Sequence, residues 1–171
     1  MATPEPTHFL EQAGRLINAA AAGAPRQVDL RRAISAAYYG IFHAVLTAAA
    51  DLIVGASKRQ SPLYGLVYRS IEHRSVRVLC EDVGKSQLPA KFGPYVPAAG
   101  FGPDIVALSE AFVELQKKRY AADYDPMIKV SRSDAALAVS IAQAALARLA
   151  AADSEIRATF LTLLVFPPRS Q

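Results

Sequence analysis

Tryptophan is missing from the 171 residues, cysteine occurs once, and histidine is confined to three positions. Each scarcity removes a class of function. The lone Cys80 excludes an internal disulfide framework, and its surroundings, VRVLCEDV, read as an amphipathic helix rather than a metal knuckle, so a reducing, cytoplasmic compartment is the expectation. Three histidines in all argue against a zinc or di-iron site, which leaves no cofactor to expect. No glycine-rich loop runs into Lys and Ser or Thr, so a P-loop is excluded. With no tryptophan and with Tyr and Phe scattered, the sequence offers no stacking platform for a single strand.

The N-terminus, MATPEPTHFLEQAGRL, has neither the basic start nor the apolar core of a signal peptide. No stretch near ~18 to 20 residues is uniformly apolar, so a soluble protein without membrane association is expected. What the chain has in abundance is alanine, which carries much of the 52% hydrophobic content and favours helices. The formal charge of +4, with a pI near 9.3, suits a phosphate-bearing partner without naming one. A chain of this length fits one domain over 1–171 and removes about two thirds of its unfolded surface from water.

Periodicity predicts five helices, no strand and no internal repeat. The first runs from about Pro4 to Ala22, with Phe9, Leu10, Ala13, Leu16 and Ile17 on one face, and the second from about Asp29 to Ala56. Ser61 and Pro62 open a third that continues to about Val83. The stretch 84–103, with four glycines and four prolines, is a long loop. A fourth helix spans Asp104 to Ala122 or Asp123, and Ser131 or Ser133 caps a fifth that meets no breaker before Pro167, unless AAADS at Ala150 to Ser154 hides a kink. Residues 167–171 form a tail. The expected fold is all-α, an up-and-down bundle of four to five helices with the long Gly/Pro-rich connection between the third and fourth.

At about 100° per residue, Arg32, Ser35, Ala36, Tyr39, His43 and Leu46 share one stripe of the second helix, with Tyr38 and Phe42 on its flank. On the fourth, the stripe of Leu108, Phe112 and Leu115 continues into Arg119 and Asp123, which can pair four residues apart and must pair if buried. Arg32 can reach a phosphate or join that pair as a third member. His43 either orients a ligand or is a satisfied core group. His73, four residues after Arg69 and close to Arg74 and Arg77, lies on a solvated face or meets RNA phosphates.

The segments RRAISAAYYGIFHAV, YRSIEHRSVRVL and RYAADYDP together resemble the HEPN domain superfamily, in particular its bacterial branch with R-x-x-S-x-x-Y-Y-x-x-F-H and R-x-x-A-D-Y patterns, over roughly Asp29 to Pro126. The resemblance implies a homodimer, RNA cleavage or nucleotide binding, and a nucleotidyltransferase partner. In active ribonucleases of that superfamily an R-x(4-6)-H motif supplies arginine and histidine without a metal. Arg119 matches the arginine, but no histidine follows it, and Tyr124 stands nearest that place. A phenol of pKa near ~10 is a poor base at neutral pH. The expected function is therefore a module that binds RNA, a nucleotide or a protein partner through the polar seam. The alternatives are an endoribonuclease toxin paired with a nucleotidyltransferase antitoxin, drawing its base from His43 or His73, and an oligomerisation scaffold. For assembly the sequence adds Phe160, Leu161, Leu163, Leu164, Val165 and Phe166, which surround their helix and need a second surface. That surface is either another copy, making a homodimer, or the 84–103 loop with Phe92, Tyr95, Val96 and Phe101.

Overall fold

The computed structural model describes residues 4–19 and 23–168. Its elements are helical: α1 (Pro6–Ile17), α2 (Gln27–Val54), α3 (Pro62–Ser70), α4 (His73–Val83), α5 (Gly102–Tyr124), α6 (Arg132–Ala151) and α7 (Ser154–Val165), with single 3-10 turns at Ala56–Lys58 and Ala90–Phe92. Among the described residues there is no strand. The fold is all-α, with seven helices where four to five were expected.

Both extra helices come from interruptions without a strong breaker. The predicted third helix divides at Ile71, which adopts an extended backbone and is buried, so its apolar side chain satisfies the helical pattern while its backbone leaves the helix. The predicted fifth divides at Ala152 and Asp153, within the suspected kink, and the Asp153 carboxylate accepts the Glu155 and Ile156 amides to start α7. Two starts match their sequence signals. Ser61 Oγ accepts the Tyr64 amide ahead of Pro62, and Ser131, not Ser133, forms a reciprocal box with Asp134. The first helix ends at Ile17, with Asn18 as its C-cap, short of the expected Ala22; the tail beyond Pro168 lies outside the described residues.

Residue pairs fix the directions. Phe9 meets Tyr39 and His43 while Leu16 shares a hollow with Arg32, Tyr38 meets Phe112 while Arg31 meets Ala122, and Asp104 pairs with Arg148 while Lys118 lies near Asp134, so α1 and α5 each run antiparallel to α2, and α6 antiparallel to α5. Helix α2 is the axis, with fifteen of its residues buried. Small side chains let neighbours approach it closely: a Cβ on Gly40 would sit 3.0 Å from Leu10 Cδ2 and 3.4 Å from the Pro6 carbonyl of α1. By length and composition α2 and α6 could each cross a membrane. In this fold most apolar residues of α2 belong to the core cluster, Val28, Leu52 and Ile53 being exposed, and those of α6 are largely alanine.

The connection from Gly84 to Phe101 packs against the bundle. Asp82, buried at the end of α4, reaches Lys85 at 2.6 Å and Lys91 at 2.8 Å; burial alone would raise its pKa, and the two ammonium groups hold it below the usual carboxylate range. Phe92, Val96 and Phe101 are buried, and Phe101 meets α7's Phe160 edge-on at 6.2 Å. The backbone returns into α5 through Gly100 and Gly102, at φ 80° and 71°, where only glycine sits without strain. Phe160, Leu161, Leu163 and Leu164 are buried within one chain, whereas Tyr95 and Phe166 are exposed. The loop therefore meets α7 within the chain, and Phe160, Leu161, Leu163 and Leu164 are buried without a second copy, while Phe166 stays open to solvent.

Candidate anion-binding site

Because α2 and α5 run antiparallel, the first turns of α2 face the last turns of α5. Between them lies a cleft of about 410 Å³ lined by Val28, Arg31, Arg32, Tyr39, Arg119, Ala122, Asp123 and Tyr124. A neighbouring hollow of about 360 Å³, walled by Phe9, Gln12 and Leu16 of α1, shares Arg32 and Tyr39 and also touches Ser35.

Arg119 and Asp123 pair as their spacing predicts. Nε of Arg119 lies 2.7 Å from Oδ2 of Asp123, although its N–H is not aimed at that oxygen, and a terminal nitrogen donates to the Tyr39 hydroxyl at 3.2 Å. The guanidinium carbon stands 5.6 Å from the centres of both the Tyr39 and Tyr124 rings. The other carboxylate oxygen accepts from Ser35 Oγ at 2.5 Å.

Arg32 is not the third member. It is exposed and makes no ion pair or side-chain hydrogen bond among the described residues. Its neighbour Arg31, rotated about 100° around the helix, engages the end of α5 instead. Arg31 donates to the carbonyls of Ala122 at 3.1 Å, Asp125 at 2.9 Å and Ile128 at 2.5 Å. One turn earlier, the Gln27 side chain donates to the Val130 carbonyl and accepts its amide. Both residues escaped the sequence reading because their partners are backbone groups, which no side-chain pattern reveals.

Neither His43 nor His73 lines the cleft; both lie on the aromatic side of α2. His43 stacks on Phe9 at 4.8 Å and its Nδ1 is 2.5 Å from the Tyr68 hydroxyl. His73 stacks on Phe42 at 3.7 Å and its Nδ1 is 2.6 Å from the Tyr38 hydroxyl. Burial pushes the Tyr38 phenol up to about 12, so it stays protonated beside His73, and Gln116 donates to its oxygen at 3.4 Å. The ring partners Phe9 and Gln116 carried no motif signal, and Tyr68 entered only as the first residue of YRSIEHRSVRVL.

Burial holds both imidazoles below their ordinary pKa, aided at His43 by the charge of His73 and at His73 by Arg119. The unfolded chain therefore takes up protons near pH ~6.5 while the folded chain still refuses them. Stability present above that pH is expected to fall as the pH drops toward the depressed folded values. Urea midpoints between pH 7.5 and 5 measure this; a profile equally steep in the His43→Gln/His73→Gln protein would assign the loss to other groups.

Asp123→Ala is expected to cost about 2 kcal/mol, less than for a fully buried pair because both side chains keep roughly a fifth of their exposure. A double-mutant cycle should give about 1 kcal/mol of coupling with Arg119 and none with Arg32. A coupling of zero to Arg119 would mean that the ion pair contributes nothing.

No convergence of three His, Cys, Asp or Glu side chains that could hold a metal occurs among the described residues. Comparison with family models, with curated proteins and with solved structures finds no match.

Proposed function

We propose that the protein is a HEPN-like helical module that binds a phosphate-bearing ligand, RNA or a nucleotide, in the cleft between α2 and α5 and does not cleave it efficiently. The observation that carries this reading is the charge balance of the cleft: three arginines face one aspartate, and Arg32 keeps all its donors free. Arg31 gives three of its five N–H donors to carbonyls, which are neutral and leave its charge uncompensated. A phosphate meets such a cleft with two favourable features, a net positive field and an unused guanidinium fork.

The non-catalytic half of the reading is supported by what lines the cleft. Asp123 is engaged by Arg119 and Ser35, Tyr124 is a phenol, and the histidines lie behind Tyr39 with Nδ1 occupied. General-base work on a ribose hydroxyl asks for a free group of pKa near neutrality within hydrogen-bond reach. A homodimer and a nucleotidyltransferase partner, both implied by the family resemblance, belong to the same proposal.

Fluorescence anisotropy with a labelled 12-nucleotide RNA tests it. Binding should weaken with salt, and Arg32→Ala should weaken it further while lowering the salt slope by about one phosphate contact. The RNA should stay intact in EDTA. Absence of binding at low salt would overturn the phosphate-site reading, and robust cleavage lost in His43→Ala or His73→Ala would overturn the non-catalytic one.

A further inference from the structure

Tyr120 and Tyr124 stand one turn apart on α5, their ring centres 5.0 Å apart and their planes inclined by 51°. The i, i+4 spacing places them side by side, so residues that look scattered in the sequence become a pair. They are 65% and 62% exposed, and neither belongs to the core. Tyr124 is also a wall of the arginine cleft and Val28, 55% exposed, is another, so an apolar ledge and a cationic floor share one site.

The ledge is braced. The Arg119 guanidinium lies 5.6 Å from the centre of the Tyr124 ring and is itself held by Asp123 and Tyr39, which orients the ring before any ligand arrives. The Tyr124 hydroxyl makes no hydrogen bond among the described residues, so the fold makes no polar use of it. A cationic groove next to an exposed aromatic face is the arrangement that accepts a phosphate together with a flat, unstacked base.

We propose that the Tyr120–Tyr124 ledge receives an unpaired nucleobase adjoining the phosphate at Arg32 and Arg119, so that the cleft takes nucleotides and single strands and discriminates against duplexes. The proposal rests on the reading of the cleft as a phosphate site. In a duplex the faces of the bases are covered by their neighbours, and only backbone and groove edges are offered. A duplex therefore meets the arginines and not the ledge.

The test uses the full chain and four probes: labelled ten-nucleotide oligo(A) RNA, the same length of abasic ribose-phosphate, a ten-base-pair RNA duplex, and unlabelled AMP as competitor against inorganic phosphate. Oligo(A) should bind about tenfold more tightly than either the abasic strand or the duplex. Tyr124→Ala should remove most of that difference, and Tyr124→Phe should keep it. Displacement by AMP but not by phosphate supports the ledge with a mononucleotide as sufficient ligand. Oligo(A) preference without AMP displacement supports it with a strand as the ligand. Equal affinity for oligo(A) and the abasic strand, with both sensitive to Arg32→Ala, removes the ledge and leaves the phosphate site standing. No binding of any probe removes both. The abasic comparison needs no substitution, so a misfolded variant cannot obscure the result.

Discussion

Phe160→Ala is expected to lower the unfolding free energy by about 4 kcal/mol, the upper part of the range for emptying an aromatic site in a core. Phe160 has no exposed surface, and it is the point at which α7 meets the long connection, through the edge-on contact with Phe101, which in turn meets Phe92 edge-on at 6.4 Å. Relaxation can fill little of the space, because Phe101 is tied to the start of α5 and the opposite end of the loop to Asp82 through Lys85 and Lys91. The loss should show in urea unfolding and, under native conditions, as new protease cuts between Gly84 and Phe101. A loss below 1 kcal/mol with an unchanged digest would mean that the loop is held by its lysines alone.

Arg31→Met is expected to cost about 3 kcal/mol, whereas Arg32→Met, one position along, should stay within about 0.5 kcal/mol. The contrast follows from their partners. The last carbonyls of a helix have no partner within it, and Arg31 serves one of these at Ala122 and two more in the turn that follows. Methionine keeps the packing of the stem and removes all three bonds. Arg32 holds nothing that the fold requires. Hydrogen exchange should locate the damage, with amides of residues 125–130 losing protection first. Equal losses for the two substitutions would contradict the assignment of Arg31 as the clamp.

The same pair shows how far the sequence could be read. Periodicity placed Arg32, Ser35 and Tyr39 on one stripe and Arg119 with Asp123 on another, and the structure brings these stripes together at one cleft. Both caps at Ser61 and Ser131 were legible, since they depend on residues adjacent in the chain. The break at Ile71 was not, because a buried β-branched residue in extended conformation leaves the same apolar mark as a helical one. Nor was Arg31, whose partners are carbonyls about ninety positions away. His43 shares the stripe with Tyr39 but sits one turn beyond it, outside the cleft and against Phe9 and Tyr68, and periodicity reports direction around a helix without saying where along it a ligand ends. The apolar belt of α7 was seen; what covers it depended on the path of a loop that has no period.

The burial of α2 on nearly every side has a consequence for the chain while it is being made. Its covering helices α5 and α6 lie far downstream, and Gln27 meets Val130 across 103 positions. At translation rates of about 5 to 20 residues per second, that separation is a wait of roughly 5 to 20 seconds. Helix–coil exchange takes about a microsecond, so α2 samples its helix many times before its covering helices exist. Only α1, α3 and α4 can shield it during that interval. A nascent chain halted before Gly102 would therefore present the Leu30 to Leu46 surface to holdase chaperones, and release from them would coincide with synthesis of the segment from Gly102 onward.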